Sequence, residues 1–156
     1  MTSKNRDMWD AVNNRIAAAV KNTTTLQEIK SFTRGFRIKT LDGIEKPALF
    51  THLAESSDTY IDNQHRQEQF NLRLILVMDI PEGEGDYIGD LIELRDKILN
   101  AIENDSSGNQ DITIGNQLHR ALEIIGNEVS LSDSGNSVMS MTTYQVSSYY
   151  YSPGAR

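Results

Sequence analysis

The most regular pattern of apolar and polar positions in the chain lies between Gln69 and Asn104. Phe70, Leu72, Leu74, Leu76 and Met78 alternate with Asn71, Arg73 and Asp79, which is the period of an extended strand. Ile75 and Val77 break the polar side, so the middle of this strand is expected to be covered on both faces. Pro81 has no N–H to donate and ends the strand. After a glycine-rich acidic loop the period lengthens to that of a helix. Ile88, Leu91, Ile92, Ile98, Leu99 and Ile102 fall on one stripe, with Arg95 out of character. A strand feeding a helix that can lie back on it predicts an α/β or α+β layer. Burying the five even-numbered strand side chains is worth roughly 1.5–3 kcal/mol each before conformational entropy is subtracted.

The rest of the chain arranges itself around that pair. Met8, Val12, Ile16, Ala19 and Val20, with Trp9 alongside, predict an amphipathic helix from Asn5 to Asn22, stopped by the β-branched run Thr23-Thr24-Thr25. Leu26 to Lys39 reads as extended or loop, with Gly35 at a bend. Leu41-Asp42-Gly43-Ile44 has the composition of a tight turn. Pro47 opens a strand, Ala48 to Ala54, with Phe50 and Ala54 on one face and Leu49 and Leu53 on the other. The polar stretch Glu55 to Gln69 is either an exposed loop or the outer part of a long hairpin. After the second helix come a loop, Asp105 to Asp111, and a brief extended piece, Ile112 to Gly115. A strand from Leu118 to Ile124 follows, then a bulge or turn at Gly126-Asn127, and the strand resumes at Val129 to Leu131. Ser132 to Asn136 reverses the chain. Ser137 to Tyr151 is a last β-prone strand with Val138, Thr142, Tyr144 and Val146 on or near one face. It would span roughly 45 Å, more than one small core covers, so part of it should project or meet another chain. The expected fold is α+β and sandwich-like: an antiparallel or mixed sheet of four to five strands, with the N-terminal helix and the second long helix on one face, in a single domain over residues 1–156.

Composition narrows the function. Fifteen basic residues against 22 acidic ones leave a net charge of −7, which disfavours wholesale binding to nucleic acid or to an anionic membrane. Ten of the acids fall between Asp79 and Asp111, opposed there by Arg95 and Lys97, whereas Lys30, Arg34, Arg37 and Lys39 cluster with no acid between them. That basic cluster, with Phe32 and Phe36 inside it, reads as a solvated face or a partner-docking edge before it reads as a nucleic-acid contact. The chain has no cysteine, so thiolate zinc sites, cysteine nucleophiles and a disulfide frame are excluded. The first ten residues lack the apolar core of a signal peptide, and no apolar run is longer than Leu74 to Met78. A soluble protein made in the cytoplasm is expected.

Candidate chemistry is thin. Gly83, Gly85 and Gly89 are spaced G-x-G-x-x-x-G, which is not the dinucleotide fingerprint, and Glu82, Glu84 and Asp86 put negative charge where a phosphate would lie. The same acids lack the ligand frame of a calcium loop. His52, His65 and His119 are scattered, and no serine sits in a nucleophile elbow. No catalytic, cofactor or metal residues are expected. Tyr149-Tyr150-Tyr151 and the pair Met139/Met141 read instead as interface material. The candidate interface residues are Tyr60, Asp62 and Arg66 in the polar hairpin, Arg34 and Arg37 on the basic segment, and Met139, Met141 and Tyr144 on the last strand.

The order of pieces resembles a known family. A helix is followed by a basic extended segment and by Pro47-Ala48-Leu49-Phe50 opening a strand. Then come the long apolar strand and the helix I-x-L-R-D-x-I-L-x-A-I-E from Ile92 to Glu103. The chain goes on with Thr113-Ile114-Gly115, a strand ending Ile124-Ile125-Gly126-Asn127, a reversal and a final long strand. This is similar to the tail-terminator, or minor tail, proteins of long-tailed bacteriophages, over roughly Met8 to Tyr151. The family's second glycine after this step is Asn116 here, and its leucine is Ile114. The resemblance implies a non-enzymatic virion protein at the tail–neck junction, assembled in the host cytoplasm. It implies a six-membered ring of copies that caps the tail tube, ends its elongation and offers a surface to the neck. Implied partners are further copies of the chain, the tail tube protein, a neck or connector protein and, as a further candidate, sheath protein. Genome DNA would pass through without specific binding, with Glu82, Glu84 and Asp86 as an acidic lumen or rim. The alternatives are a head-completion or neck protein and, from another class, a small nucleotide- or metabolite-binding enzyme resting on the Gly83/Gly85/Gly89 loop.

Overall fold

A computed structural model describes residues 4–22, 29–35, 44–60, 65–80, 85–105, 107–115, 118, 122–131 and 137–151. In chain order these form α1 (Lys4–Asn22), β1 (Ser31–Arg34), β2 (Ala48–Tyr60), β3 (His65–Asp79), α2 (Tyr87–Ile102), β4 (Glu123–Leu131) and β5 (Ser137–Tyr151). The five strands make one sheet in the order β1-β2-β3-β5-β4. β1 runs parallel to β2, and every other neighbouring pair is antiparallel. The fold is α+β with a mixed sheet, and both helices lie on one face of it. Met8, Val12 and Ile16 of α1 and Leu91, Ile98 and Ile102 of α2 share a core with Leu49, Leu72, Leu76, Val138 and Tyr144.

The alternation in β3 sorts the sheet into two faces. Rows of paired residues cross the strands, and side chains within a row point the same way. One helix-side row is Phe32, Leu49, Leu76, Ser140 and Val129, and another is Leu53, Leu72, Tyr144 and Ile124. On the opposite face the pairs Ala48–Val77 and Phe50–Ile75 form a second buried cluster, with Ile44, Met139 and Met141 packed against it. The double burial expected at Ile75 and Val77 is therefore present: both are essentially inaccessible.

In α1, Asp7 stands in the first turn and Lys21 in the last, each complementing the helix dipole. Its buried stripe is Met8, Ala11, Val12, Ile16 and Ala19, together with one polar residue, Asn13. Asn13 is fully buried yet satisfied: its Nδ2 donates to the Trp9 carbonyl at 2.8 Å, and its Oδ1 accepts from Thr51 Oγ1 at 2.6 Å. This bond pins α1 onto β2. Trp9 also meets Phe70 edge-on, with ring centroids 6.5 Å apart. In α2 the buried residues are Leu91, Leu94, Ile98, Leu99 and Ile102. Ile92, assigned to the stripe on spacing, faces out at 37% exposure, because the 91-94-98-102 progression leaves position 92 about 100° away.

The predicted second strand, Ala48 to Ala54, continues to Tyr60, and the predicted strand from Phe70 begins already at His65. Of the two readings of Glu55 to Gln69, the long hairpin is the one found. The expected bulge or turn at Gly126-Asn127 is a register irregularity between Ile124 and Gly126, and the strand runs on through it. Ile112 to Gly115, expected to be extended, is a turn. Both Asp111 carboxylate oxygens accept from the Gly115 N–H at 3.0 Å, and Ile114 adopts φ +52. Local side-chain-to-backbone bonding here overrides the β propensity of two isoleucines and a threonine.

Candidate assembly surface

The sequence-predicted interface residues do not converge on one site. Arg34 lies on β1 at one margin of the sheet, where its guanidinium donates to Asp10 Oδ1 at 2.8 Å and to Asn14 Oδ1. It ties β1 to the outer face of α1. Met139 and Met141 are half-buried on the helix-free face against Ala48, Phe50, Ile75 and Val77. Tyr144 is a correction. It is 0% exposed in the core between the sheet and the helices, because its place in the β5 alternation points it inward. Tyr60 pairs with Arg66 at the end of the β2–β3 ladder. Arg37, Asp62, Glu82 and Glu84 lie outside the described residues. Asp86 is the N-cap of α2, its carboxylate accepting from the Gly89 N–H at 2.9 Å. That carboxylate has a helix-capping role, whatever else faces it.

Two features of the backbone are open to a partner. The first is an arm. β1 covers β2 only from Ala48 to Thr51, and β4 covers β5 only from Val138 to Gln145. Beyond those limits β2, β3 and β5 continue as a three-stranded ribbon out to the pairs Tyr60–Arg66 and His65–Tyr151. The ribbon extends some five residues past Phe70, the last core side chain of β3 in that direction, or roughly 17 Å. Among the described residues both outer edges of this arm lack a ladder partner. The second feature is β4. It is paired only to β5 among the described residues, and all nine of its residues are exposed. The exposed ones include Ile124, Ile125, Val129 and Leu131, at 39–56%.

The electrostatics hold the body together. Arg15 donates to the carbonyls of Ile102, Asn104 and Asp111 and to the Asp111 carboxylate at 2.6 Å, fastening α1 to the end of α2 and to the following turn. The Gly115 N–H and then Arg15 hold the Asp111 carboxyl below its usual range, against a smaller opposing effect of burial. Asp10 is likewise lowered, first by its bond from Arg6 and then by Arg34. Burial raises the Tyr144 hydroxyl, helped by the Glu103 carboxylate. A groove of about 560 Å³ runs along α1, lined by Asp7, Asp10, Asn14, Arg15, Ala18 and Ile114 among others. Asp10, on its lining, is the carboxylate that Arg6 and Arg34 hold below the usual range. Among the described residues no cluster of histidines and acids could hold a metal ion, and no helix is long and apolar enough to cross a membrane.

No protein-family model and no curated protein matches the chain. Sequence reasoning had no signal for the Arg15 clamp, whose acceptors lie 87 to 96 residues away. The Asn13–Thr51 bond was in principle legible as a polar residue inside an apolar helical stripe, but its partner on β2 was not.

Proposed function

We propose that the chain is a tail-terminator-like assembly subunit, which caps a bacteriophage tail tube as a ring of copies and presents the opposite surface to the neck. The observation that carries this reading is the three-stranded arm. A ribbon whose edges are unpaired among the described residues, leaving a well-packed body, has backbone donors and acceptors to place in another chain. Support also comes from the order of elements, which is that of the resembled family, and from the net charge of −7, which lets DNA pass without gripping it. Function in this reading is association and not catalysis. The ring size of six and the acidic rim at Glu82, Glu84 and Asp86 belong to the same proposal.

The test is direct. Purified protein mixed with preformed tail tubes should appear as rings on their ends by electron microscopy, and particles made without it should carry tails of uncontrolled length. Tails of normal length in its absence would reject the reading. Association with heads before tails join would move it to the head-completion side.

A further inference from the structure

We propose that β4 is an acceptor edge for a second copy of this chain, and that it receives β1 from the opposite margin of that copy's sheet. This deepens the reading above and rests on its self-assembly part. A nine-residue edge strand with all its residues exposed is an unguarded ladder, which isolated soluble domains usually shorten, cover or load with lysine. β4 has no lysine or arginine, and its helix-side positions Ile124, Val129 and Leu131 are apolar and uncovered.

Three observations favour β1 of another copy as the occupant. First, the margins differ in charge. β4 carries Glu123 and Glu128, whereas the β1 margin carries Lys30 and Arg34, the latter shared with Asp10 of α1, with Arg37 and Lys39 following in the chain. Like-with-like pairing would crowd glutamates at one junction and cations at the other; unlike pairing avoids both. Second, the faces match. Phe32 lies on the helix side of β1, in the same row of the sheet that ends at Val129, so sheet continuation sets an aromatic beside β-branched and aliphatic side chains. Third, α1 is bound to β1 through Arg34, Asp10 and Asn14, so an incoming β1 brings a helix alongside the bare helix side of β4. An interface between two different margins is head-to-tail, and such contacts close into rings when the rotation permits.

The absence of cysteine makes the junction easy to probe in the full chain. Thr33 and Ser130 are exposed, on the helix-free side of β1 and β4. The double variant Thr33→Cys/Ser130→Cys, treated with a short bismaleimide, should give a ladder of linked multimers, and each single variant should give none. Val129→Lys should weaken self-association by roughly tenfold or more, read by light scattering, with an unchanged circular dichroism spectrum. Dimers linked through Ser130→Cys alone would overturn the proposal in favour of like-with-like pairing. So would a folded Val129→Lys protein that remains multimeric, or a wild-type chain that stays monomeric at every attainable concentration. A protein that caps tail tubes without forming the linked ladder would overturn the edge pairing and leave the terminator reading standing. One that forms the ladder but caps nothing would do the reverse.

Discussion

A single row of side chains across the sheet shows two regimes. Leu53, Leu72, Tyr144 and Ile124 lie side by side, yet the central two are 0% exposed and the outer two are 45% and 39% exposed. The strands are continuous and the side chains are all large. The difference lies in what lies above them: at this level α1 and α2 cover β3 and β5 and leave Leu53 and Ile124 half-exposed. Register irregularities fall in this same region, between Leu53 and Glu55 on β2 and between Ile124 and Gly126 on β4. The centre of the sheet is built for folding, and its margins and arm have surface left over for association.

Substitutions can break that contrast. Leu72→Ala, in the covered centre, should cost about 3 kcal/mol in chemical denaturation, through lost burial and a residual cavity. A loss under about 1 kcal/mol would mean the centre repacks as a margin does. Arg15→Ala should cost about 2–3 kcal/mol, because it leaves three carbonyls and the Asp111 carboxylate without their shared donor. The same clamp predicts an acid-side effect. Asp111 and Asp10 bind protons less readily folded than unfolded, so their contribution is complete above the ordinary carboxylate value of 3.8 and is lost as pH falls below it. Acid unfolding monitored by circular dichroism should therefore move to higher pH in Arg15→Ala; an unmoved midpoint would remove the clamp from the account.

Smaller effects test the two regimes more finely. The buried Tyr144 hydroxyl has no hydrogen-bond partner among the described residues. Tyr144→Phe should therefore stabilise the fold by about 1 kcal/mol, since it removes a desolvated polar group at almost no change in shape. A comparable loss on thermal denaturation would reveal a bond that the hydroxyl makes. On the margin, Leu131→Ser should change the unfolding free energy of the monomer by less than about 0.5 kcal/mol, because the side chain is 56% exposed. A loss of 2 kcal/mol or more would show that β4 is held by something besides β5.

The elements that were legible in the sequence are those whose signal is local and repeated. The period-two run from Phe70 to Met78 and the 3.6-period stripe of α1 each report one face of one element, and burial follows directly from them. Even the excess length of β5 showed in its composition. Where a single position carried the signal the reading slipped: Ile92 faces out of α2 and Leu94, absent from the predicted stripe, is buried, and Asp111 converts Ile112 to Gly115 from strand into turn through one carboxylate.

The candidate assembly surface was legible only in outline. Arg34 was named as an interface residue from its basic segment alone; its bonds to Asp10 and Asn14 within the chain depend on α1 crossing β1. Tyr144 belonged to the same alternating strand that named it, and its burial depends on two helices lying over β5. The sequence by itself determined which side of each strand and helix is apolar, because that is a property of consecutive residues. Only the tertiary structure decided the parallel seat of β1, the Arg15 and Asn13 fastenings, and which apolar faces are covered. Those depend on contacts between residues far apart in the chain, and no local period encodes them.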